Sequence, residues 1–384
     1  MFNMKSRLIR ELKRQHFIFD NLRYLKNRLT DQRTKRIYKK FNDSTTKKDS
    51  KLIRNEFAEL KEYWGVIPDY YISLNFYEKN CSLSLDEMKE YIPSYYFYYV
   101  ICPIYDDTNA VIPLVENKIR AQKLFLDSDI PVAPSIEVGL GKCNELATGE
   151  ELDDEQLAHW LNSSEIDKLF IKPVSGRGGR GILVAKRRNG EFYVDNQVVN
   201  YAFLTNLPES YIAEYGIIQS DYISAVYSKS VNTLRVITKK DPNTNQVAIL
   251  SVILRIGLAG AEVDNGSQGG IMLALDCETG QPLHGVALVD YGQQKLPLHP
   301  DSGYPFSEFF LRDWPKFRKN IISIAEKFTT LNLAGWDFAI TDSGPVVIEV
   351  NTFFGIDHAQ AGGGGFKEHF VEGSPKLMLK RSSR

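Results

Sequence analysis

Apolar residues recur along this chain with two periods, and the switch between them divides it. The first third has helical spacing. Leu8, Leu12, Ile18, Leu22, Leu25 and Leu29 recur near every third or fourth position, predicting one or two amphipathic helices over residues 5 to 40. Another helix is predicted over residues 53 to 64, with Phe57, Leu60 and Trp64 on one stripe and Gly65 as its stop. Ser84 and Glu87 have capping-box spacing for a further helix that Pro93 ends. The run YIPSYYFYYVICPIY at 91 to 105 is too short to span a bilayer and carries Pro93 and Pro103, so it is expected inside, as a buried strand edge or a domain interface. Residues 115 to 126 read as a helix, and Ile130-Pro131-Val132-Ala133-Pro134 as an extended lead-in to a sheet.

Beyond that point alternation takes over. Strands are predicted at 231 to 239 and 246 to 255, joined through Asp241-Pro242-Asn243-Thr244-Asn245. Residues 335 to 352 alternate on either side of Thr341-Asp342-Ser343-Gly344 and read as a hairpin with a loop from 342 to 344. Helices at 152 to 162 and 198 to 206 would pack on a sheet, and a helical stretch at 307 to 330, interrupted at Pro315, would back a second one. The glycines at 362 to 365 read either as a mobile loop shaping a substrate pocket or as a plain connector.

Composition narrows the class only slightly. The 384 residues suggest two or three domains, and 43% hydrophobic with 25% charged residues is ordinary for a soluble globular protein. Four scattered cysteines and six histidines without ligand spacing argue against a zinc site or disulfide framework and fit a reducing compartment; no signal peptide is apparent. Charge is more informative. Residues 1 to 54 hold about 17 Lys and Arg against about 5 Asp and Glu, roughly +12, while the remainder carries roughly −13. Such a basic amphipathic region either packs its apolar stripe on the next domain, the favoured reading, or lies on anionic lipid; nucleic acid ranks third.

Two distant segments carry the chemistry. FIKPVSGRGGRGILVAK at 170 to 186 reads as strand, glycine loop, strand, with Lys172 on the ingoing strand and Gly176, Gly178, Gly179 and Gly181 in the loop. Glycine lets backbone N–H groups close over phosphates, and lysine adds a point charge. In the hairpin, Asp337 would pair across the strands with Glu349 at about 4.5 to 5.5 Å, with Asn351 on the same face. Two carboxylates and an amide oxygen suit Mg²⁺ shared with nucleotide phosphates, whereas Arg235 in VNTLRVIT could instead make Asp337 part of a structural ion pair. A P-loop is excluded because Gly181 is followed by Ile182 rather than by lysine and a hydroxyl residue. A dinucleotide fingerprint is excluded because the loop leads into ILVAKRR, which is strand-like. One copy of GRGGR is not an RNA-binding repeat.

With these landmarks in place, the chain resembles the ATP-grasp superfamily, most closely its sugar-transfer-associated branch. The matching pieces are NK at 117 and 118, FIKPVSGRGGRG, YIAEYGIIQ at 211 to 219, VNTLRVIT at 231 to 238, VDNGSQGGI at 263 to 271 and WDFAITDSGPVVIEVN at 336 to 351. The resemblance, which covers roughly residues 95 to 365, implies an α/β (α+β) fold in which two subdomains clasp ATP, and the apolar spacing before it adds a helical N-terminal region. The divisions would be 1–54 basic extension, 55–115 aromatic-rich region, 116–218 small subdomain and 219–384 large subdomain. It implies that Lys118 and Lys172 contact phosphates under the loop from Ser175 to Gly181, and that Glu214, Tyr215, Gly216 and Ile217 form the adenine-side hinge. Gln219 or Asp221 would hold the ribose, although the family commonly has a carboxylate where Gln219 stands. Arg235 would stabilise the transferring phosphoryl group or bind an acidic substrate, Arg255 and Asn265 would serve the acceptor side, and Asp337, Glu349 and Asn351 would bind Mg²⁺, with Mn²⁺ as an alternative.

The activity implied is an ADP-forming ligase that joins a carboxylate to an amine or sugar-linked acceptor through an acylphosphate. The setting implied is polysaccharide assembly in the cytoplasm or on the inner face of the membrane. Rivals are a kinase on the same fold and a binding protein that reaches membranes or nucleic acid through its basic N-terminus.

Overall fold

The computed structural model describes residues 16–175, 181–261, 271–289, 292 and 294–382. Among these, fourteen strands form two seven-stranded antiparallel sheets. The small sheet contains β1 (Ser135–Gly139), β2 (Lys142–Glu145), β3 (Lys168–Pro173), β4 (Leu183–Arg188), β5 (Glu191–Val194), β6 (Gln197–Val198) and β7 (Tyr211–Tyr215), in the order β2-β1-β7-β3-β4-β5-β6. The large sheet contains β8 (Leu234–Lys240), β9 (Val247–Ile256), β10 (Ile271–Leu275), β11 (Ala287–Val289), β12 (Gln294–Leu296), β13 (Leu333–Thr341) and β14 (Gly344–Asn351), in the order β12-β11-β10-β9-β8-β13-β14.

Helices sort by which sheet face they cover. They include α1 (His16–Thr30), α2 (Gln32–Asp43), α3 (Ser50–Trp64), α4 (Lys118–Asp127), α5 (Asp154–Asn162), α6 (Tyr201–Thr205), α7 (Trp314–Lys327) and α8 (Asp357–Gly363). Leu157 and Trp160 of α5 and Leu204 of α6 close the small sheet's core against Ile136, Leu169 and Ala213. The large sheet is covered on both faces, as its unbroken apolar strands require. On one face Leu234, Val236, Val252 and Leu254 meet Ile321 and Ile324 of α7. On the other Ile237, Ile253 and Met272 meet Trp64, Tyr71, Tyr96 and Phe97 of the aromatic-rich region. Period-two alternation thus assigns each strand residue to one of two cores. α4 joins the two halves, because Ala121 and Phe125 enter the large core while Ile119 packs with Val174 and Ile212 of the small one.

The expected helix at 53 to 64 is present as α3 but begins three residues earlier, where Asp49 caps it by accepting from the Lys51 amide at 2.8 Å; Gly65 ends it, as expected, in a left-handed conformation. Ser84 and Glu87 form the expected capping box. Other expectations change. The 91–105 run is buried but helical, as Ser94–Tyr96, a π-helical turn Phe97–Ile101 and Cys102–Tyr105, and not strand. The Ser84 helix is over before Pro93, which caps the next helical segment, and Pro315 opens α7 rather than interrupting it, since the first turn needs no amide donor there. The glycine run is neither a lid nor a linker. A Cβ on Gly362 would lie 2.4 Å from that of Ala274, and one on Gly365 would lie 2.6 Å from the Glu90 carbonyl oxygen, so these residues permit close backbone packing.

The largest correction concerns α1. Ile18, Leu22, Leu25 and Leu29 do not pack on the body; they are 45%, 54%, 53% and 73% exposed. The opposite face docks instead. Phe19 packs edge-on to Tyr99 at 5.5 Å, and the buried Asp20 accepts from the Ile67 amide at 2.7 Å.

Candidate functional site

The site lies where the two sheets and α4 converge, and the alternation of each strand decides what it presents. On β3, Leu169 and Ile171 enter the core, so Phe170 and Lys172 point the other way. Glu214 of β7 stands directly opposite Phe170, and the Lys172 ammonium bonds its carboxylate. Asn117 caps α4, and the Lys118 amide donates to the Val174 carbonyl at 3.3 Å, just before the glycine loop. Burial pulls the Lys118 ammonium below its usual pKa and Lys172's charge adds to that, while Glu349 and Glu214 oppose it.

On the large sheet, Asp337 pairs with Glu349 across β13 and β14 as the sequence predicts, but by a different route. The turn is one residue shorter than expected, with Thr341 opposite Gly344. A bulge between Asp337 and Phe338 adds the missing residue and restores the register. Asp337 also stands opposite Arg235 on β8. Arg235 grips it with Nε at 2.6 Å from Oδ1 and Nη2 at 2.8 Å from Oδ2, and Arg255 Nη1 lies 3.0 and 3.1 Å from the same two oxygens. Burial acts to raise the Asp337 pKa, but the two guanidiniums outweigh it and hold the carboxyl below its usual range.

Glu349 is electrostatically the opposite case. Protein surrounds it closely enough that desolvation and the Asp337 charge push its pKa up, against Lys118, Arg235 and Lys172, yet the residue remains open to solvent. It is therefore an accessible carboxylate on the strand that faces Asp337. Asn351, two residues on, has a buried side-chain nitrogen with no partner among the described residues. Because an amide can turn its oxygen to the same position, Glu349 and Asn351 fit a hard cation; Asp337 would join them only by giving up an arginine. No group of three or more His, Cys, Asp or Glu suited to a metal occurs among the described residues.

The remaining expected residues are dispersed. Gly216 donates to the Lys168 carbonyl at 2.8 Å and leads to Ile217 between the sheets, while the Tyr215 ring stacks on Trp160 at 4.5 Å on the small sheet's core side. The buried Gln219 amide is committed to the Tyr227 and Ser230 carbonyls and the Asn232 amide, so its side chain serves the 227–232 loop; Asp221 is exposed. Ser175 and Gly181 flank the glycine loop, whereas Gly176, Gly178, Gly179 and Asn265 lie outside the described residues. Sequence reasoning missed His358. Its Nε2 lies 2.9 Å from Arg33 Nη2, and burial together with Arg33, Arg255 and Arg235 holds its pKa far below normal. The one available signal was its position seven residues after Asn351.

The sugar-transfer associated ATP-grasp profile matches residues 103–370. The chain belongs to that family. Solved structures that it resembles include an N5-carboxyaminoimidazole ribonucleotide synthetase in complex with ADP, at 12% identity and a TM-score of 0.36, covering 63% of this chain and 45% of that one. Others are D-alanine–D-alanine ligase from Bacillus anthracis (14%, 0.36, covering 71% and 68%) and a biotin carboxylase–nucleotide complex from Campylobacter jejuni (12%, 0.39, covering 71% and 47%). The chain therefore spans less than half the length of the first and third of these proteins. A search of curated protein sequences finds no match.

Proposed function

We propose that this ATP-grasp protein is an ATP- and magnesium-dependent ligase. It would join a carboxylate to an amine or sugar-linked acceptor through an acylphosphate, in the assembly of a cell-surface polysaccharide or sugar conjugate. The observation that carries the reading is that accessible Glu349 stands opposite Asp337, which Arg235 and Arg255 hold, with the charges of Lys118 and Lys172 also acting on it, because cations around an accessible carboxylate suit a polyanion with its own counter-ion. Lys118 and Lys172 would hold phosphate oxygens. Lys172 would exchange Glu214 for phosphate on its flexible stem, and the Ser175–Gly181 loop would close over the nucleotide. Mg²⁺ (or Mn²⁺) held by Glu349 and Asn351, with Asp337 as a further candidate, would neutralise phosphate charge.

Arg235 and Arg255 would orient the acid oxygen toward the γ-phosphate and stabilise charge in transfer, their forks fixed by Asp337. No covalent nucleophile from the protein is needed, because alignment and water exclusion supply the acceleration. Calorimetric titration of ATP with and without Mg²⁺, for the wild type and a folded Glu349→Gln variant, tests this reading. Metal-dependent binding lost in the variant is expected, followed by ADP release when sugar acids and amines are supplied together. A folded wild type that binds no ATP overturns it.

The exposed stripe of α1 supports a second reading, peripheral attachment to the inner face of the membrane. Ile18, Leu22, Leu25 and Leu29 lie beside exposed Lys26 and Arg28, an apolar face rimmed by cations. No helix among the described residues is long and apolar enough to cross a membrane. Wild-type protein should co-sediment with phosphatidylserine-containing vesicles and Leu22→Ser/Leu25→Ser should not; equal sedimentation of both contradicts attachment through this face.

A further inference from the structure

Period-two alternation puts Arg235, Arg255 and Asp337 on one face of the large sheet, the face on which Ile237, Ile253 and Leu333 of the same three strands enter the aromatic-rich core. The segment after β14, with α8, covers that face. Ile356 and Ala359 enter the same core, and a Cβ on Gly335 would lie 2.7 Å from the Phe354 ring. The buried Gln360 amide exchanges two hydrogen bonds with the Ile92 backbone, accepting at 2.6 Å and donating at 3.0 Å. The backbone that carries His358 is therefore fixed against both the sheet and the aromatic-rich region, and the charges of Arg255 and Arg235 both act on the His358 ring.

A third arginine reaches this ring from α2. Arg33 places Nη2 2.9 Å from His358 Nε2, and its charge also acts on the neighbouring Asp357, whose carboxylate accepts from the Ser94 hydroxyl at 3.1 Å. A guanidinium can only donate, so Nε2 accepts and the ring proton sits on Nδ1. The proton cannot move to Nε2 without breaking the contact, which decides the tautomer. Burial and the three guanidiniums keep the ring uncharged. Arg33 precedes residue 103, where the family match begins, so a part of the chain outside the match supplies this contact.

We propose that His358 is a positioning residue on the acid-binding side of the site, fixed in its Nδ1–H tautomer by Arg33, and that the N-terminal helices thereby form part of that side. The substrate in this assignment, an organic acid at Arg235 and Arg255, rests on the ligase reading; the Arg33–His358 contact does not. An uncharged ring adds no fourth charge beside three guanidiniums. A ring held in one tautomer also has little freedom left to lose when the acid arrives, whereas a ring free to turn would give the arginine pair a variable neighbour.

Nitrogen NMR of the full chain carrying isotope-labelled histidine, with His358 identified by its loss in His358→Phe, reads the tautomer directly. The wild type should hold the proton on Nδ1, Arg33→Met should move it to Nε2, and Arg33→Lys, which can still donate, should keep it on Nδ1. On the same samples glucuronate, a sugar acid, is titrated in the presence of ADP and Mg²⁺, and ATP binding is measured separately. Glucuronate affinity should fall about tenfold in His358→Phe and in Arg33→Met, fall no further when the two are combined, and recover in Arg33→Lys. ATP affinity and the melting temperature should stay at the wild-type values throughout. A wild-type proton on Nε2, additive losses in the double variant, or an equal loss of ATP affinity overturns the proposal. ATP binding by a wild type that takes no glucuronate sinks the positioning role and leaves the nucleotide site; an Arg33-dependent glucuronate response without ATP binding supports that role and sinks the ligase reading.

Discussion

On the small sheet Lys172 meets one carboxylate, Glu214, and both side chains keep 14% exposure, whereas on the large sheet Arg235 and Arg255 both close on Asp337, whose side chain keeps 5%. The difference lies in how firmly each charge is positioned. Two planar guanidiniums on neighbouring strands, fixed to one buried carboxylate, have little freedom left to lose when a substrate oxygen arrives. A single ammonium on a four-carbon stem can release its partner and follow a phosphate. The large-sheet side of the site is thus pre-oriented, and the small-sheet side is exchangeable.

Asp337→Ala should break that contrast most severely, because it removes the buried carboxylate that two half-buried guanidiniums share. A loss of about 3 to 5 kcal/mol in denaturant unfolding is expected, and an unchanged midpoint would show that the arginines relax to solvent. Lys172→Met keeps the apolar stem and should cost about 1 kcal/mol or less in stability, yet weaken ATP binding about tenfold. A stability loss equal to that of Asp337→Ala would erase the distinction between the walls. Glu349 gives the smallest effect. Its raised pKa means the folded state holds the proton more tightly than the unfolded chain, so its contribution is most favourable at acid pH and declines as pH rises through the folded pKa. Relative to wild type, Glu349→Gln should therefore gain stability at roughly pH 7 compared with roughly pH 4, and an opposite slope in parallel melts would show that a bound cation or lysine dominates there.

How much of this was legible depends on the range of the forces involved. Helix α3 and its Gly65 stop are local and were readable, although the expected start at residue 53 missed the Asp49 cap and the turn that follows it. The Asp337–Glu349 pairing was also readable, although the predicted loop was a residue too long and only the bulge after Asp337 makes the register come out. The N-terminal helices misled for a definite reason. Apolar spacing identified the stripe Ile18, Leu22, Leu25, Leu29, and the most apolar face of a helix normally docks; here the docked face carries Phe19, packed on Tyr99, and Asp20, whose carboxylate accepts from the Ile67 amide. Gln219 misled similarly, since nothing in its neighbours reveals that its amide ties together residues 227 to 232.

By itself the sequence determined helices α3 and α4, strands β8 and β9, the strands β3 and β4 that flank the glycine segment, and which residues of the hairpin share a face, since each follows from spacing within a few positions. Only the tertiary structure decided that Asp337 is held by two arginines, the first of them 102 positions away, and that Arg33 reaches His358 across 325 positions. Such contacts depend on how the sheets and the N-terminal helices pack. A charge's partner is set by which other charges the fold places within a few ångströms, and a periodicity along one segment carries no record of that distance.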